Sequence, residues 1–447
     1  MGHMDRMTRR EVMKRSGVAI GALLLGAKGI TNMTQAANAA QTSKTAWGIA
    51  ELFEWIYDRQ RTTGHDTEDC LQAHLDVGVR HVIWAIGRST VDYHSALPNT
   101  TPYVGDSRPE TKIIGDAMRA RCCLRTAMEF AAKKGMTIYA RLGMNRHYSK
   151  GAYGGGLTSR FAAEHPQFYA IHKNGAPDVS SLSYFHPEVR QERIDILCEV
   201  ALTGTHGLCL DFCRQVPMMR YELPVVRAFT AKGNPDPRTL DVKDPKFLDW
   251  CRFRCEYVTL FMRDLRKALR EVEKKTGRKT PVMARVTDAG FDVNIMEGTD
   301  VETWIKEGLI DELCTNPLSW LQYKYPDTVT PYVNLAHAHH MKMWGGVGAL
   351  AASKVKLNPV SFLRRVKRQY DEGADGVAIY QSDYGCEQPV LKPIIPKLAD
   401  PGAIAALLAD QSLLQKYPQD EASRLYGVDN HSRIEALGGS ATPMSAL

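Results

Sequence analysis

Short apolar runs alternate with longer amphipathic stretches along most of this 447-residue chain. Runs such as HVIWAIG, MTIYARLG, GLCLDFC and DGVAIYQSD read as buried strands. The stretches between them place apolar residues at helical spacing, the longest from about Asp249 to Lys275. The pattern occurs eight times and predicts a (β/α)8 TIM barrel, an α/β fold, over residues 46–390.

The structural alternative for such a pattern is an open, doubly wound parallel sheet. That fold usually carries a glycine-rich phosphate-binding turn after its first strand, and WGIAELFEW contains no such turn. The barrel is therefore favoured. Residues 391–447 are expected to form a C-terminal extension that packs on the barrel and ends in a flexible stretch.

The N-terminal segment 1–39 has the pattern of a twin-arginine export signal. Arg9 and Arg10 precede an apolar region, Val18–Ala27, which is too short to span a bilayer, and Ala37-Asn38-Ala39 offers a small-residue cleavage site. Residues 1–3 resemble a remnant of cloning. The mature protein is therefore expected in the periplasm or outside the cell, with no membrane association after the signal is removed.

Charge and cysteine content argue against several classes of partner. The formal net charge is +7, but residues 1–39 carry six Lys/Arg and two Asp/Glu, so removing them leaves about +3. No basic stripe with interleaved aromatic residues remains, which argues against nucleic acid as a partner. The ten cysteines form no CxxC pair. Cys251 and Cys255 lie one helical turn apart without further ligands, so neither a metal nor a cofactor is predicted.

In a TIM barrel the active site forms at the carboxyl ends of the strands. Glu51 and Glu54 lie at the end of the first predicted strand, and Asp211 ends the fourth, which would otherwise be fully apolar. The predicted catalytic carboxylates are Asp211, Asp288 and Asp383. The predicted substrate-binding residues are Glu54, Trp84, Arg141, His147, Arg214, Arg285, Asn316, Trp344 and Tyr384.

Carboxylates, arginines and aromatic rings on one rim suit the cleavage of glycosidic bonds. One carboxyl group protonates the leaving oxygen while another attacks the sugar or activates water. Asp211 is the expected nucleophile and Asp288, on the next strand, the favoured acid/base; Asp383 and Glu54 are the alternatives for the acid. Arg214 is expected to hold the substrate or to orient Asp211. The expected substrate is a polysaccharide or oligosaccharide.

Four segments carry a resemblance to a known family. AEHPQFYAIHKNG, SYFHPEVRQERIDIL, GLCLDFCR and GADGVAIYQSD resemble bacterial glycosyl-hydrolase-like barrels, often called glycosyl-hydrolase-like family ten. The resemblance covers about residues 46–390 and implies a carbohydrate-active TIM barrel with Asp211 as a catalytic carboxylate. The chain departs from the family's Arg-Tyr-Pro ending of the fourth strand, where it has Arg214-Gln215-Val216-Pro217.

Two other classes of function remain open at this point. A non-catalytic carbohydrate-binding barrel would keep the rim aromatic residues without a working acid pair. A metal-dependent barrel enzyme could use the cluster His337, His339 and His340, although a histidine-rich helix end is the simpler interpretation. Sugar identity, linkage and oligomeric state are left open by the sequence.

Overall fold

A computed structural model describes residues 43–149, 156–213, 216–316, 328–348 and 358–418. Its strands in chain order are β1 (Thr45–Ala50), β2 (His81–Gly87), β3 (Thr137–Gly143), β4 (Tyr169–Ile171), β5 (Pro177–Leu182), β6 (Gly207–Asp211), β7 (Val282–Thr287), β8 (Glu312–Asn316), β9 (Lys342–Gly348) and β10 (Gly376–Tyr380). The strands other than β4 and β5 are the eight that form one closed sheet.

The closed sheet is a parallel barrel. Its strands follow one another in chain order around the circle, and β10 closes it by pairing with β1, with Thr45 opposite Gly376. The backbone N–H of Lys44 also donates a hydrogen bond of 2.9 Å to the carbonyl of Ala399. The TIM-barrel prediction is therefore confirmed, because every strand that the sequence predicts takes part in the barrel.

Helices surround the sheet and connect its strands. In chain order they are α1 (Leu52–Arg59), α2 (Asp66–Asp76), α3 (Pro109–Ala120), α4 (Cys123–Lys134), α5 (Arg160–Glu164), α6 (Pro187–Leu202), α7 (Leu223–Thr230), α8 (Pro245–Thr276), α9 (Phe291–Glu297), α10 (Val301–Lys306), α11 (Thr330–Ala338), α12 (Pro359–Asp371), α13 (Ser382–Gly385), α14 (Pro401–Ala409) and α15 (Gln411–Lys416). The Asp244 side chain caps α8, and Gly277 ends it in a left-handed conformation.

Side-chain alternation along each strand divides the apolar residues into two cores. The core between sheet and helices is the larger. The core inside the barrel consists of Trp47, Ile49, Ile83, Tyr139, Cys209, Met283, Cys314, Trp344, Ala378 and Tyr380. At the amino end of the barrel, Glu312 accepts hydrogen bonds of 2.6 Å from both the Tyr139 hydroxyl and the Trp344 indole N–H. These groups fill the amino end.

Two features differ from the sequence prediction. The segment after β3 contains the antiparallel hairpin β4–β5, which is not among the eight predicted strands. The first strand ends at Ala50, and Glu54 lies in the first turn of α1 rather than at a strand end.

The described part of the C-terminal extension reaches residue 418. The Tyr370 hydroxyl on α12 donates a hydrogen bond of 2.8 Å to the Leu398 carbonyl, and α14 packs against α12. The signal-like segment 1–39 lies outside the described residues, as does the predicted flexible end. Among the described helices, none combines the length and the apolar character that a membrane crossing requires.

Candidate active site

Asp211 is the last residue of β6 and is nearly fully buried. Its Oδ2 accepts a hydrogen bond of 2.7 Å from Arg141 on β3, and both of its oxygens accept from Arg285 on β7, at 2.8 and 2.9 Å. The Cys213 backbone N–H donates a further bond to Oδ1. The two neighbouring strands thus present their arginines to the carboxylate of the strand between them.

These contacts keep Asp211 ionised. Burial alone would raise its pKa, but the guanidinium groups of Arg285 and Arg141 more than offset burial and hold the pKa well below its usual range. Two buried arginines thus compensate the charge of the carboxylate at the end of this buried strand. Asp211, Arg141 and Arg285 lie together at the carboxyl end of the barrel, as the sequence predicts.

Glu51 provides a second carboxylate beside Asp211. It follows β1, and its Oε2 accepts from Arg141 at 3.1 Å and from Arg88 at 3.0 Å. Arg141 therefore binds Asp211 with one terminal nitrogen and Glu51 with the other. Two carboxylates bound to one guanidinium have oxygens within roughly 8 Å of each other. This limit includes the separation of about 5–5.5 Å found in retaining glycosidases and the lower part of the range of about 6.5–9.5 Å found in inverting ones.

A small cavity of about 20 Å³ lies between these groups at the carboxyl end of the barrel. The described residues that line it are Glu51, Gly87, Arg88, Arg141, Gly143, Asn145, Arg146, Asp211 and Tyr380. The Arg285 guanidinium lies 4.7 Å from the centre of the Tyr380 ring and also bonds the side-chain oxygen of buried Asn316. Arg285 and Asn316 thus support the base of the cavity from below.

Asp383 lies directly behind Glu51. Its Oδ2 accepts a hydrogen bond of 3.1 Å from the Glu51 backbone N–H, and its side chain is buried in the first turn of α13. Burial, followed by the charges of Glu51 and Glu54, raises the pKa of Asp383 well above its ordinary value. The site therefore combines Asp211, whose pKa is lowered by its two arginines, with Asp383, whose pKa is raised by burial and by the neighbouring carboxylates.

The structure places Asp288 elsewhere. Its carboxylate pairs with Arg365 of α12, whose Nε donates a hydrogen bond of 2.8 Å to the Gly346 carbonyl of β9. Both charged side chains are nearly fully buried, and Asp288 is not among the described residues that line the cavity. The sequence interpretation of Asp288 as the acid/base is corrected: Asp288 anchors a helix to the barrel.

Neither predicted tryptophan lies at the rim. Trp84 is in the middle of β2 and fully buried in the core between sheet and helices. Its neighbour Ile83 faces the barrel interior, so alternation turns Trp84 outwards. Trp344 faces the interior but lies near the start of β9, where it bonds Glu312 at the amino end. The expectation of sugar contacts by either ring is wrong.

His147 is also part of the packing rather than of the cavity wall. It is 1% exposed, and its Nε2 accepts a hydrogen bond of 2.8 Å from Arg193 of α6. Burial, and then the Arg193 charge, lower the pKa of His147 to about 4, so the ring is neutral. The prediction that His147 touches substrate is therefore replaced by a structural role.

Two further predicted site residues lie away from the cavity wall, and a third is not among the described residues. Glu54 and Tyr384 are partly buried on α1 and α13, and neither is among the described residues lining the cavity. Glu54 acts on the site through its charge, which helps to raise the pKa of Asp383. Arg214 lies outside the described residues.

Sequence reasoning missed several residues that line the cavity: Arg88, Asn145, Arg146 and Tyr380. Tyr380 is the last residue of β10 and lies two residues after Ala378, whose side chain faces the barrel interior. Because side chains alternate along a strand, Tyr380 faces inwards too, and this alternation could have identified it. The other three lie in the loops after β2 and β3, beyond the strand ends.

The histidine cluster does not form a metal site in the part of the chain that the structure describes, where no group of three or more His, Cys, Asp or Glu side chains could hold a metal ion. His337 bonds Asp375 at 2.9 Å. His337, His339 and His340 precede β9 and so lie at the amino end of the barrel, opposite the cavity. All ten cysteines are free thiols.

No protein-family model matches the chain, and no curated protein matches it either. Many solved structures are similar to it at low sequence identity. An alpha-L-fucosidase isoenzyme 2 from Paenibacillus thiaminolyticus gives a TM-score of 0.47 at 13% identity, covering 83% of this chain and 50% of that one. The chain thus spans half the length of that fucosidase.

Two further structures give similar values. A trehalose-6-phosphate hydrolase from Bacillus licheniformis has a TM-score of 0.43 at 12% identity, covering 89% of this chain and 74% of that one. An alpha-amylase from Lactobacillus plantarum has a TM-score of 0.40 at 13% identity, covering 80% and 79%.

Proposed function

We propose that the protein is a glycoside hydrolase acting on a polysaccharide or oligosaccharide. The observation that carries this proposal is the pair Glu51 and Asp211, two carboxylates that line one cavity and share the guanidinium of Arg141. Glycosidic bond cleavage needs two carboxyl groups on opposite sides of the scissile bond, in different protonation states. Glu51 and Asp211 are the two carboxylates among the described residues that line the cavity, which supports assigning these two roles to them.

Asp211 acts as the ionised carboxylate. Its two arginines favour the charged form, so it attacks the anomeric carbon or stabilises positive charge there. Glu51 is the carboxyl group that faces the leaving oxygen. Glu51 gives its proton to the leaving oxygen as the glycosidic bond breaks, and Arg88 and Arg141 bind the carboxylate that results. Asp383, which the sequence offers as an alternative to Asp288, lies behind Glu51 and accepts a hydrogen bond from its backbone N–H.

A panel of polysaccharides with reducing-end release as the readout tests the activity. Glu51→Gln is expected to lower kcat by about 10²–10⁴-fold on substrates with poor leaving groups and much less on aryl glycosides with good ones. Asp288→Asn is the control, expected to lower the melting temperature while leaving kcat within a few-fold. Glycan binding by the wild type without any release of reducing sugar would favour the non-catalytic carbohydrate-binding barrel instead.

We further propose that residues 1–39 direct export by the twin-arginine route. The support is the paired Arg9 and Arg10 ahead of a short apolar region. Replacing both by lysine is expected to leave the protein in the cytoplasm, as measured by fractionation of the expressing cells. Periplasmic recovery of the double variant at the wild-type level would contradict the proposal.

A further inference from the structure

Hydrogen-bond donors and positive charge predominate on the cavity wall. The described lining residues include the arginines Arg88, Arg141 and Arg146, against the carboxylates Glu51 and Asp211. Arg285, which bonds Asp211 from below, adds a fourth guanidinium. Both oxygens of Asp211 and the Oε2 of Glu51 already accept two hydrogen bonds each, so the wall as a whole offers more to an anion than to a cation.

Asn145 adds a hydrogen-bond donor to the residues that line this space. The residue is 5% exposed and lines the cavity, and its side-chain NH₂ has no acceptor in the described part of the chain. A buried amide donor without an acceptor is costly, and a ligand oxygen would remove that cost. Asn145 lies next to Arg146, so donor and positive charge adjoin on one side of the cavity.

The two loop arginines are fixed by a shared buried residue. Arg193 of α6, 1% exposed, donates a hydrogen bond of 2.8 Å to the Arg88 carbonyl and one of 3.1 Å to the Arg146 carbonyl. The Tyr148 N–H also bonds the Ser89 hydroxyl at 2.7 Å, joining the same two loops. Arg88 and Arg146 therefore enter the cavity from a preorganised backbone.

We propose that this cavity binds a negatively charged sugar substituent, a carboxylate or a sulfate, through Arg88, Asn145 and Arg146. Planar guanidinium groups bind both anions by paired hydrogen bonds. The proposal rests on the proposed function for the reaction at the glycosidic bond, whereas binding of the anionic group can be measured without turnover. The substrate would then be a uronic-acid-containing or a sulfated glycan.

Affinity gel electrophoresis of the full-length protein tests the proposal. Separate gels contain polygalacturonate or alginate for carboxylates, carrageenan or dextran sulfate for sulfates, and dextran or xylan as uncharged glycans. We expect retardation by the carboxylated or by the sulfated set, weakened by added salt. Arg88→Gln and Arg146→Gln are each expected to reduce the affinity for the retarding glycan about 10- to 100-fold.

Arg80→Gln is the matched control, because exposed Arg80 precedes β2 at the amino end of the barrel, where it bonds the Lys134 carbonyl. It is expected to bind like the wild type. Equal retardation by charged and uncharged glycans would overturn the inference, as would unchanged binding by both cavity variants. Hydrolysis of uncharged glycans alone would refute this inference but not the proposed hydrolase activity. Binding specific for anionic glycans without any hydrolysis would support this inference and refute the hydrolase activity.

Discussion

At the scale of single residues, Asp211 illustrates how a functional charge can also support the fold. Its carboxylate is the counter-charge of two buried arginines, Arg141 and Arg285. Removing one member of such a buried group leaves the others without compensation, which typically costs 3–5 kcal/mol. A variant of Asp211 should therefore lose stability as well as activity.

We predict that Asp211→Asn lowers the free energy of unfolding by about 3–5 kcal/mol and abolishes glycan hydrolysis. Urea denaturation and reducing-end release measure the two effects. Asp236→Asn is the control, since Asp236 pairs with Arg238 on the surface and such pairs contribute less than about 1 kcal/mol. A fully active Asp211→Asn protein would remove Asp211 from the mechanism.

His74 gives a prediction on pH. It is fully buried on α2, where its Nδ1 donates to the Cys70 carbonyl and its Nε2 accepts from the Ser382 hydroxyl, both at 2.7 Å. Burial lowers its pKa from 6.5 to about 4. The unfolded chain therefore binds a proton that the folded chain does not. The contribution of the neutral His74 ring to the free energy of unfolding is therefore complete above pH 6.5 and decreases as the pH falls towards 4.

We predict that wild-type stability falls by about 3 kcal/mol between pH 7 and pH 4 from this residue alone, and that His74→Gln removes this part of the decrease. Denaturation curves at several pH values measure it. His339→Gln, at an exposed position, should retain the wild-type slope. An identical slope in the His74 variant would show that the ring does not remain neutral in the folded protein.

The sequence predicted some site residues and misplaced others for a physical reason. Asp211, Arg141 and Arg285 were found because a charge in an apolar strand stands out. Trp84 was misplaced because a shift of one residue moves a side chain to the other face of a strand. Asp288 was misplaced for a different reason. Its strand was identified, but its partner Arg365 lies 77 residues away in sequence and could not be inferred.

At the scale of elements, the strands were predictable because parallel strands buried on both faces are almost continuously apolar. The loops after β2 and β3, which carry Arg88 and Arg146, lack such a pattern. The conformation of the loop after β2, which carries Arg88, depends on a turn at Gly87. Gly87 has φ of 142°, and a Cβ there would come within 2.3 Å of the Thr90 carbonyl oxygen.

We predict that Gly87→Ala displaces this turn, lowers the melting temperature and raises KM more than it lowers kcat, because Arg88 is the next residue. Gly135→Ala is the matched control, since Gly135 also has positive φ, 67°, but open space around it. The control should lose only about 1 kcal/mol of stability and keep its KM. Equal effects of both substitutions on KM would show that the turn does not position Arg88.

At the scale of the whole molecule, the barrel brings distant parts of the chain together. β1 and β10 are adjacent strands, and Lys44 bonds Ala399. We predict that a circular permutant beginning at Asn234, with segment 419–447 and a short Gly/Ser linker leading to Lys44, folds and keeps its activity. The break lies in an exposed connection between α7 and α8. Circular dichroism and hydrolysis assays measure the outcome.

A permutant opened between Cys209 and Leu210, inside β6, is the comparison and is expected to be insoluble or unfolded. Both permutants carry the same linker, so a difference between them reports the site of opening. Failure of the Asn234 permutant alone would mean that continuity through the α7–α8 connection is required for folding.

The pairing of β1 with β10 also bears on the order in which a ribosome delivers the chain. β1 is among the first parts of the barrel to emerge, yet one of its edges has no partner until residues 376–380 have been made, more than 300 residues later. At about 5–20 residues per second the nascent barrel keeps that edge open for roughly 15–60 s. During this interval it is a template for wrong strand pairing, which a chaperone bound to nascent β1 would prevent.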